Sequence, residues 1–267
     1  PNNSSKIKIT SLQLNKSLEI STGDILIKQH QAQEKWQEYV KNNNIAVLKS
    51  ITENDLDFVV IAIGETLKYL NKKLTKGFNL EINSEIPIGA GLGSSAAVSV
   101  STIGAVFLFL GEKLDKEKIN DTAFLTEQKR HGLPSGGDNS TVTYGGLVWF
   151  RKESPEIKII KPIPFSIPED LSKNFVLIDT GRPSESTGEM VGLVRNILNK
   201  RPKWTEEVFN DQEKQVKIML QAIKNNNESL LMPPIKTGER NLEKIGVVSK
   251  FSHDLIRDIE ELGGVAK

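Results

Sequence analysis

Three glycines at alternate positions mark the first glycine loop, residues 86–93, which leads into a helix expected to begin near Ser94. Glycine lets the backbone approach a ligand closely and turn its N–H groups towards it. The hydroxyls of Ser94 and Ser95 stand where a helix offers free N–H groups and the positive end of its dipole. This combination predicts an anion site, with phosphate as the usual occupant. The ordinary alternative is a glycine turn in which Ser94 caps the helix.

Two common nucleotide-binding motifs do not fit this loop. No lysine follows the last glycine, so the GxxxxGK[ST] pattern is absent, and the G-x-G-x-G spacing differs from GxGxxG. A phosphate site here therefore needs a different motif.

Two carboxylates, Glu127 and Asp138, flank a second glycine loop, residues 132–137. Phosphoryl transfer from MgATP needs two such groups: one anchors the metal, and the other orients the attacking hydroxyl and accepts its proton. Taken alone, Glu127 also fits a solvated helix residue, and Asp138-Asn139 also fits a turn.

Both loops resemble motifs of one enzyme superfamily. Residues 87–97 resemble P-x(3)-G-L-G-S-S-A-A, the phosphate-binding motif of the galactokinase, homoserine kinase, mevalonate kinase and phosphomevalonate kinase (GHMP) superfamily. Residues 131–139 read H-G-x-P-S-G-x-D-N, with Gly145-Gly146 after them, and resemble the loop that distinguishes mevalonate kinases.

The resemblance implies an ATP-dependent kinase that phosphorylates the C5 hydroxyl of mevalonate with Mg²⁺. It implies that Ser95 and Glu127 hold the Mg²⁺ and that Asp138 is the catalytic aspartate. We interpret His131 as a structural or loop-ordering residue, with a role as general base as the alternative. The residues that it places around the nucleotide phosphates are Gly89, Gly91, Leu92, Gly93, Ser94, Ser95 and Ala96.

The stretch 177–194 also resembles mevalonate kinases, which carry a strand, a polar turn and a threonine that opens a helix. Arg182 is a candidate to pair with a substrate carboxylate, because arginine suits planar bidentate recognition. Thr187 either faces the substrate pocket or caps the helix that it begins.

The elements that must position these residues are read from hydrophobic periodicity. Expected strands are 6–13, 78–82, 141–151 and a buried one at 175–179. Expected helices are 55–74, one from Ser94, 116–130, 187–199, 206–225, 241–248 and 253–262. The apolar run 96–110 is too short to cross a bilayer and predicts a buried helix. The resulting expectation is an α+β, two-lobed GHMP-kinase-like fold, with an ATP-binding domain at 1–165 and a C-terminal domain at 166–267.

Composition narrows the partners. The 35 basic and 34 acidic residues balance to +1, which argues against a nucleic-acid partner. Without cysteine the chain has no disulfide or thiolate metal site, which suits a cytoplasmic enzyme. We expect no membrane partner, and a homodimer is compatible with the family.

Some alternatives stay open. Family members also carry a P-G-K…GEH-like segment and a late G-A-G-G-G loop; neither occurs between Pro1 and Lys267, which favours an incomplete sequence. The chain could serve another GHMP substrate, such as phosphomevalonate, homoserine or a sugar, or be a catalytically silent ligand-binding paralogue. A serine hydrolase is disfavoured because neither Ser94 nor Ser135 lies in G-x-S-x-G.

Overall fold

The computed structural model describes residues 5–153, 158–181, 185 and 187–267. The chain divides into two compact units, the first ending at Ile163 and the second beginning at Pro164. The described residues mix helices with two small sheets, and the predicted α+β class is confirmed.

The first unit opens with a three-stranded sheet in the order β2-β1-β3. Its strands are β1 (Lys6–Ser11), β2 (Lys16–Ser21) and β3 (Asn79–Ile82). β1 and β2 are antiparallel, with Lys6 opposite Ser21, whereas β3 runs parallel to β1. The strands predicted at 6–13 and 78–82 are confirmed, but β2 was not predicted.

Helices cover this sheet and pack on one another. They are α1 (Thr22–Asn42), α2 (Ile45–Lys49), α3 (Asp57–Tyr69), α4 (Ser94–Phe109) and α5 (Lys116–His131). α3 is the central helix, buried on nearly every side, and its apolar residues meet Ile7 and Ile9 of β1 and Ile25 of α1. The helices predicted for α3, α4 and α5 are confirmed. α1 was missed, although its buried positions Ile25, Gln29, Ala32 and Tyr39 recur at helical spacing.

α4 satisfies the prediction of a buried helix in the apolar run. Ile103 and Phe107 are buried in a cluster with residues of α3 and α5, while Leu108 on the opposite side is exposed. No helix among the described residues combines the length and apolar content that a bilayer crossing requires.

The strand predicted at 141–151 is wrong in its first half. Residues Gly137–Tyr144 form helix α6, and only Val148–Lys152 form a strand, β4, which pairs antiparallel with β5 (Lys158–Pro162). The hydroxyls of Ser140 and Thr141 donate to the carbonyls of Gly136 and Gly137, at 2.6 and 3.0 Å. In both bonds the acceptor is the carbonyl four residues earlier, as a helix allows. The two hydroxyls therefore have their hydrogen-bond partners inside α6.

The second unit is helical in its described part. Its helices are α7 (Glu169–Ser172), α8 (Thr187–Lys200), α9 (Pro202–Lys224), α10 (Met232–Ile245) and α11 (Lys250–Glu261). The four helices predicted beyond residue 187 are confirmed, and α9, α10 and α11 begin earlier than predicted. The prolines at the starts of α9 and α10 are tolerated there because the first turn has no intrahelical N–H partner to lose.

The buried strand predicted at 175–179 is also wrong. These residues have no regular secondary structure, and Val176 is 80% exposed. A strand forms by hydrogen bonding to a neighbouring strand. None of the strands in the described ranges pairs with this segment, so its apolar composition alone does not make it one.

Candidate active site

The backbone conformation of the first glycine loop requires glycine. Gly89, Gly91 and Gly93 have φ values of +83°, +72° and +67°, in the left-handed region that other residues rarely adopt. A Cβ on Gly91 or Gly93 would meet nothing within 4 Å. These two glycines are therefore required by the path of the backbone, and the space beside them is open.

α4 begins directly after this loop, with Gly93 as its N-cap and no side-chain cap. The alternative of Ser94 as the capping residue is therefore wrong, since Ser94 is the first helical residue. The first intrahelical bond at this end runs from the Ala97 N–H to the Gly93 carbonyl at 2.9 Å. The N–H groups of Ser94, Ser95 and Ala96 precede it and are available to a ligand, at the positive end of the dipole.

The Ser95 hydroxyl meets the Glu127 carboxylate, which lies on α5. Ser95 Oγ donates to Glu127 Oε2 at 2.8 Å and lies 3.1 Å from Oε1. Ser99 Oγ lies 3.4 Å from the same Oε1, and His131 Nε2 lies 3.3 Å from Oε2. The packing of α4 against α5 thus brings two residues 32 positions apart into direct contact.

Glu127 is only 3% exposed, so the alternative of a solvated helix residue does not hold. A buried carboxylate is costly unless hydrogen bonds or a cation compensate it. The hydroxyls of Ser95 and Ser99 supply that compensation here, and the His131 ring contacts the same carboxylate. His131 therefore contributes to the order of this cluster.

The Ser95 and Glu127 oxygens suit a hard cation. Mg²⁺ prefers oxygen ligands, keeps several waters and is usually bound by one or two protein groups together with substrate phosphates. The described residues contain no group of three or more His, Cys, Asp or Glu side chains that could hold a metal without such help. The donor set fits Mg²⁺ that arrives with a nucleotide better than a metal bound by protein alone.

Asp138 lies in the first turn of α6, exposed, immediately after the second glycine loop. Its neighbour Asn139 is buried, and the Asn139 amide donates to Asn120 Oδ1 at 2.6 Å and to the Asn120 carbonyl at 3.2 Å. Asp138-Asn139 is therefore the start of a helix and not a turn. Among the described residues, no hydrogen bond or ion pair joins Asp138 to Ser95 or Glu127, although α6 packs on both α4 and α5.

The two substrate candidates in the second unit have no described side-chain geometry. Arg182 lies outside the described residues, and Thr187 begins α8 but its side chain is likewise outside them.

A cavity of about 210 Å³ opens beside Ser94 and Ser95. Its apolar lining comes from Leu56, Phe58, Val59, Ile82, Ile86 and Val98. Asn54, Ser84 and Arg130 add polar groups. Sequence reasoning missed all of these residues, because they come from separate segments and only the fold brings them together.

One carboxyl on the cavity wall is held charged. Lys16 forms a hydrogen bond and an ion pair with Asp55, and both contacts hold the pKa of Asp55 below its usual range. Arg130, on the same wall, lowers this pKa to a smaller extent. Both signs of charge therefore line this cavity, beside its apolar and uncharged polar residues.

Comparisons with known proteins agree with this geometry. The model of the GHMP kinases N terminal domain matches residues 58–146, which include both glycine loops. The mevalonate kinase of Archaeoglobus fulgidus is 32% identical over 232 residues, which are 85% of this chain and 74% of that protein. The mevalonate kinase of Methanocaldococcus jannaschii is 33% identical over 181 residues, 64% of this chain and 53% of that protein.

A solved structure extends the likeness to the fold. The crystal structure of the Methanococcus jannaschii mevalonate kinase superposes with a TM-score of 0.69 and 25% identity, over 97% of this chain and 71% of that one. The chain spans about half the length of several curated relatives that it matches. Because the match to the Archaeoglobus fulgidus protein covers most of both sequences, the chain belongs to the mevalonate kinase family of the GHMP kinases.

Proposed function

We propose that the complete protein transfers the γ-phosphoryl group of ATP to the C5 hydroxyl of mevalonate. The observation that carries the proposal is the contact of the Ser95 hydroxyl with the buried Glu127 carboxylate, beside the free N–H groups at the start of α4. Membership of the mevalonate kinase family supports the choice of substrate.

The nucleotide phosphates bind across the first glycine loop and the start of α4. The positive φ values of the loop and its open flank support close approach of an anion to the backbone. The residues proposed to surround the phosphates are Gly89, Gly91, Leu92, Gly93, Ser94, Ser95 and Ala96.

The nucleotide base enters the adjoining cavity. Pockets for whole drug-sized ligands span roughly 300–1,000 Å³, so a cavity of about 210 Å³ suits only part of the nucleotide. Apolar walls with a few polar groups are what a heterocyclic base requires, and the phosphates then remain outside, on the loop.

Ser95 and Glu127 hold the Mg²⁺ of MgATP. When bound, Mg²⁺ neutralises charge on the phosphate oxygens and so favours phosphoryl transfer. Ser95 and the N–H groups beside it orient the phosphate chain, and they stabilise the negative charge that develops on it.

Asp138 orients the C5 hydroxyl and accepts its proton. The hydroxyl oxygen forms a bond to the γ-phosphorus while the bond from that phosphorus to the β–γ bridging oxygen breaks, and ADP leaves with the electron pair. The proton of the hydroxyl passes to the Asp138 carboxylate. Because the substrate oxygen attacks the γ-phosphorus directly, no phospho-enzyme forms. The exposed position of Asp138 at the start of α6 supports access of the substrate to this carboxylate.

Arg182 and Thr187 are proposed as substrate residues on the family resemblance of residues 177–194, with Arg182 as the partner of the substrate carboxylate. The unit that ends at Ile163 supports an ATP-binding domain at 1–165, followed by a C-terminal domain at 166–267. A cytoplasmic location suits the cysteine-free composition, and a homodimer is the proposed assembly.

The test is ADP release by the complete protein with MgATP and, in parallel, mevalonate, phosphomevalonate, homoserine or galactose. Turnover with mevalonate alone is the expected result. Turnover with another alcohol instead would keep the phosphate site and overturn the choice of substrate. ATP binding without turnover of any of the four would favour a silent ligand-binding paralogue.

A further inference from the structure

Helix α1 contains no motif of its own, yet two of its aromatic residues contact the second glycine loop. Trp36 Nε1 donates a hydrogen bond to the Gly132 carbonyl at 2.8 Å. The Tyr39 ring lies so close to Gly132 that a Cβ there would stand 2.4 Å from Tyr39 Cε1. Gly132 has a φ of +74°, so its backbone conformation and its contact with the ring both require glycine.

These two aromatic residues are themselves held firmly. Tyr39 is 6% exposed in a cluster with Ala32, Leu48, Ile51 and Ile61, and Trp36 packs against that cluster. The anchors of the second glycine loop therefore belong to a packed part of the first unit.

A buried ion pair between α3 and α5 also contacts side chains of α1. Lys129 Nζ lies 3.1 Å from Glu65 Oε1 and 5.0 Å from the centre of the Trp36 ring. The contact with Glu65 is an ion pair and not an aligned hydrogen bond, whereas Gln29 Nε2 donates to the same Glu65 oxygen at 3.1 Å. Burial lowers the pKa of Lys129, although the Glu65 charge opposes that shift.

The other end of the loop is held by α5. A Cβ on Gly136 would lie 3.2 Å from the Phe124 ring, and the Asn139 amide is bound to Asn120. The loop is thus held at Gly132 by α1 and at residues 136–139 by α5. Asp138 directly follows this loop, so its position depends on both attachments.

We propose that Trp36 and Tyr39 are positioning residues for Asp138. They hold the second glycine loop at the point where the chain leaves α5, and the placement of the Asp138 carboxylate depends on that hold. The inference rests on the proposed role of Asp138 in phosphoryl transfer. If Trp36 and Tyr39 were core residues only, replacing them would change stability and not turnover per folded molecule.

The first experiment separates these two roles by kinetics of the complete protein. Trp36→Phe removes the N–H donor and keeps an aromatic ring, and Ile51→Val trims the same cluster at a side chain without a hydrogen-bonding group. We expect Trp36→Phe to lower kcat with mevalonate about tenfold, because small displacements of a catalytic group are costly. KM for MgATP should stay within about twofold of its normal value, since the first glycine loop is untouched.

Tyr39 has a matched pair of variants. Tyr39→Leu removes the ring that limits Gly132 and is expected to lower kcat in the same way. Tyr39→Phe retains the ring and is expected to keep kcat near normal. Equal kcat in both variants, together with an unchanged kcat in Trp36→Phe, would overturn the inference.

A second readout does not depend on activity. Residues 1–267 contain no cysteine, so Leu133→Cys, at a residue that is 42% exposed, provides one site within them for a nitroxide label in the loop. We expect the label to become more mobile in Trp36→Phe and to stay unchanged in Ile51→Val, by electron paramagnetic resonance. A label equally immobile in both backgrounds would overturn the inference.

The two readouts also distinguish failure of this inference from failure of the proposed function. A mobile label combined with normal turnover of Asp138→Asn would support the hold by α1 and overturn the role of Asp138. A protein without mevalonate turnover would overturn the proposed function, and the label would still decide whether Trp36 holds the loop.

Discussion

The two glycine loops of the first unit use the same residue type for different physical reasons. In the first, residues 86–93, a Cβ on Gly91 or Gly93 would meet no neighbour, and the N–H groups at the start of α4 are free. In the second, residues 132–137, a Cβ on Gly132 would collide with Tyr39, and one on Gly136 would press on Phe124 and Lys158. The first loop leaves its surface open, whereas the second is packed against its neighbours, next to the start of α6.

The largest expected effect comes from the residue that the second loop presents. Asp138→Asn keeps the size of the side chain and removes its ability to accept a proton. We expect turnover to fall by about 10²–10⁴-fold, the usual contribution of general acid–base catalysis. Steady-state kinetics, with circular dichroism and nucleotide binding as controls for the fold, would measure it. Near-normal turnover would remove Asp138 from the mechanism.

Gly132→Ala tests the packed loop directly. The new Cβ would stand 2.4 Å from the Tyr39 ring, at a φ that disfavours alanine. Overpacking of this kind typically costs about 1–3 kcal/mol, to which the backbone strain adds. Urea denaturation should show a lower free energy of unfolding for the first unit. A stability equal to that of the unchanged protein would contradict the close packing of this loop.

Gly93→Ala is the matched change in the open loop. No neighbour lies within 4 Å of the new Cβ, so only the positive φ opposes it, at about 1–2 kcal/mol. The methyl group would occupy the flank proposed for phosphate, and we expect affinity for MgATP to fall about tenfold, or 1.4 kcal/mol. Isothermal titration calorimetry would test this. A larger loss of stability than in Gly132→Ala would reverse the comparison between the loops.

The smallest effect concerns Lys158, which packs on Gly136 and lies over the Phe124 ring. Burial, and then the charge of Lys152, lower the pKa of Lys158 from 10.5 to about 8. Between these two values the unfolded chain binds more protons than the folded one, so this lysine makes stability rise with pH. Because Lys158 is partly solvated, we expect the effect to be below about 1 kcal/mol.

The control for that prediction is Lys158→Met, measured by denaturation between pH 7 and 10. The unfolding free energy of the unchanged protein should increase, relative to that of Lys158→Met, as pH rises across this range. A difference that stays constant or decreases with pH would show that Lys158 keeps its ordinary pKa in this packing.

Local features of the site were accessible from the sequence. The alternating glycines, the two serines and the apolar run after them predicted a loop and helix, and the structure has both. The family resemblance paired Ser95 with Glu127, and the packing of α4 on α5 brings these two side chains into contact. Hydrogen bonds within a helix and backbone preferences of glycine involve near neighbours, so they are visible in a short stretch of residues.

Long-range contacts were decided by the tertiary structure. Residues 141–144 are helical in a segment where Asn139 is bound to α5 and α6 packs on α4 and α5. Residues 175–179 lack a neighbouring strand among the described residues. The contact of α1 with Gly132 joins residues 96 positions apart, and no local sequence pattern indicates it.

The sequence by itself determined which groups can do chemistry, because that depends on residue type and near neighbours. Only the tertiary structure decided what holds those groups in place, because packing depends on residues that are distant in the chain.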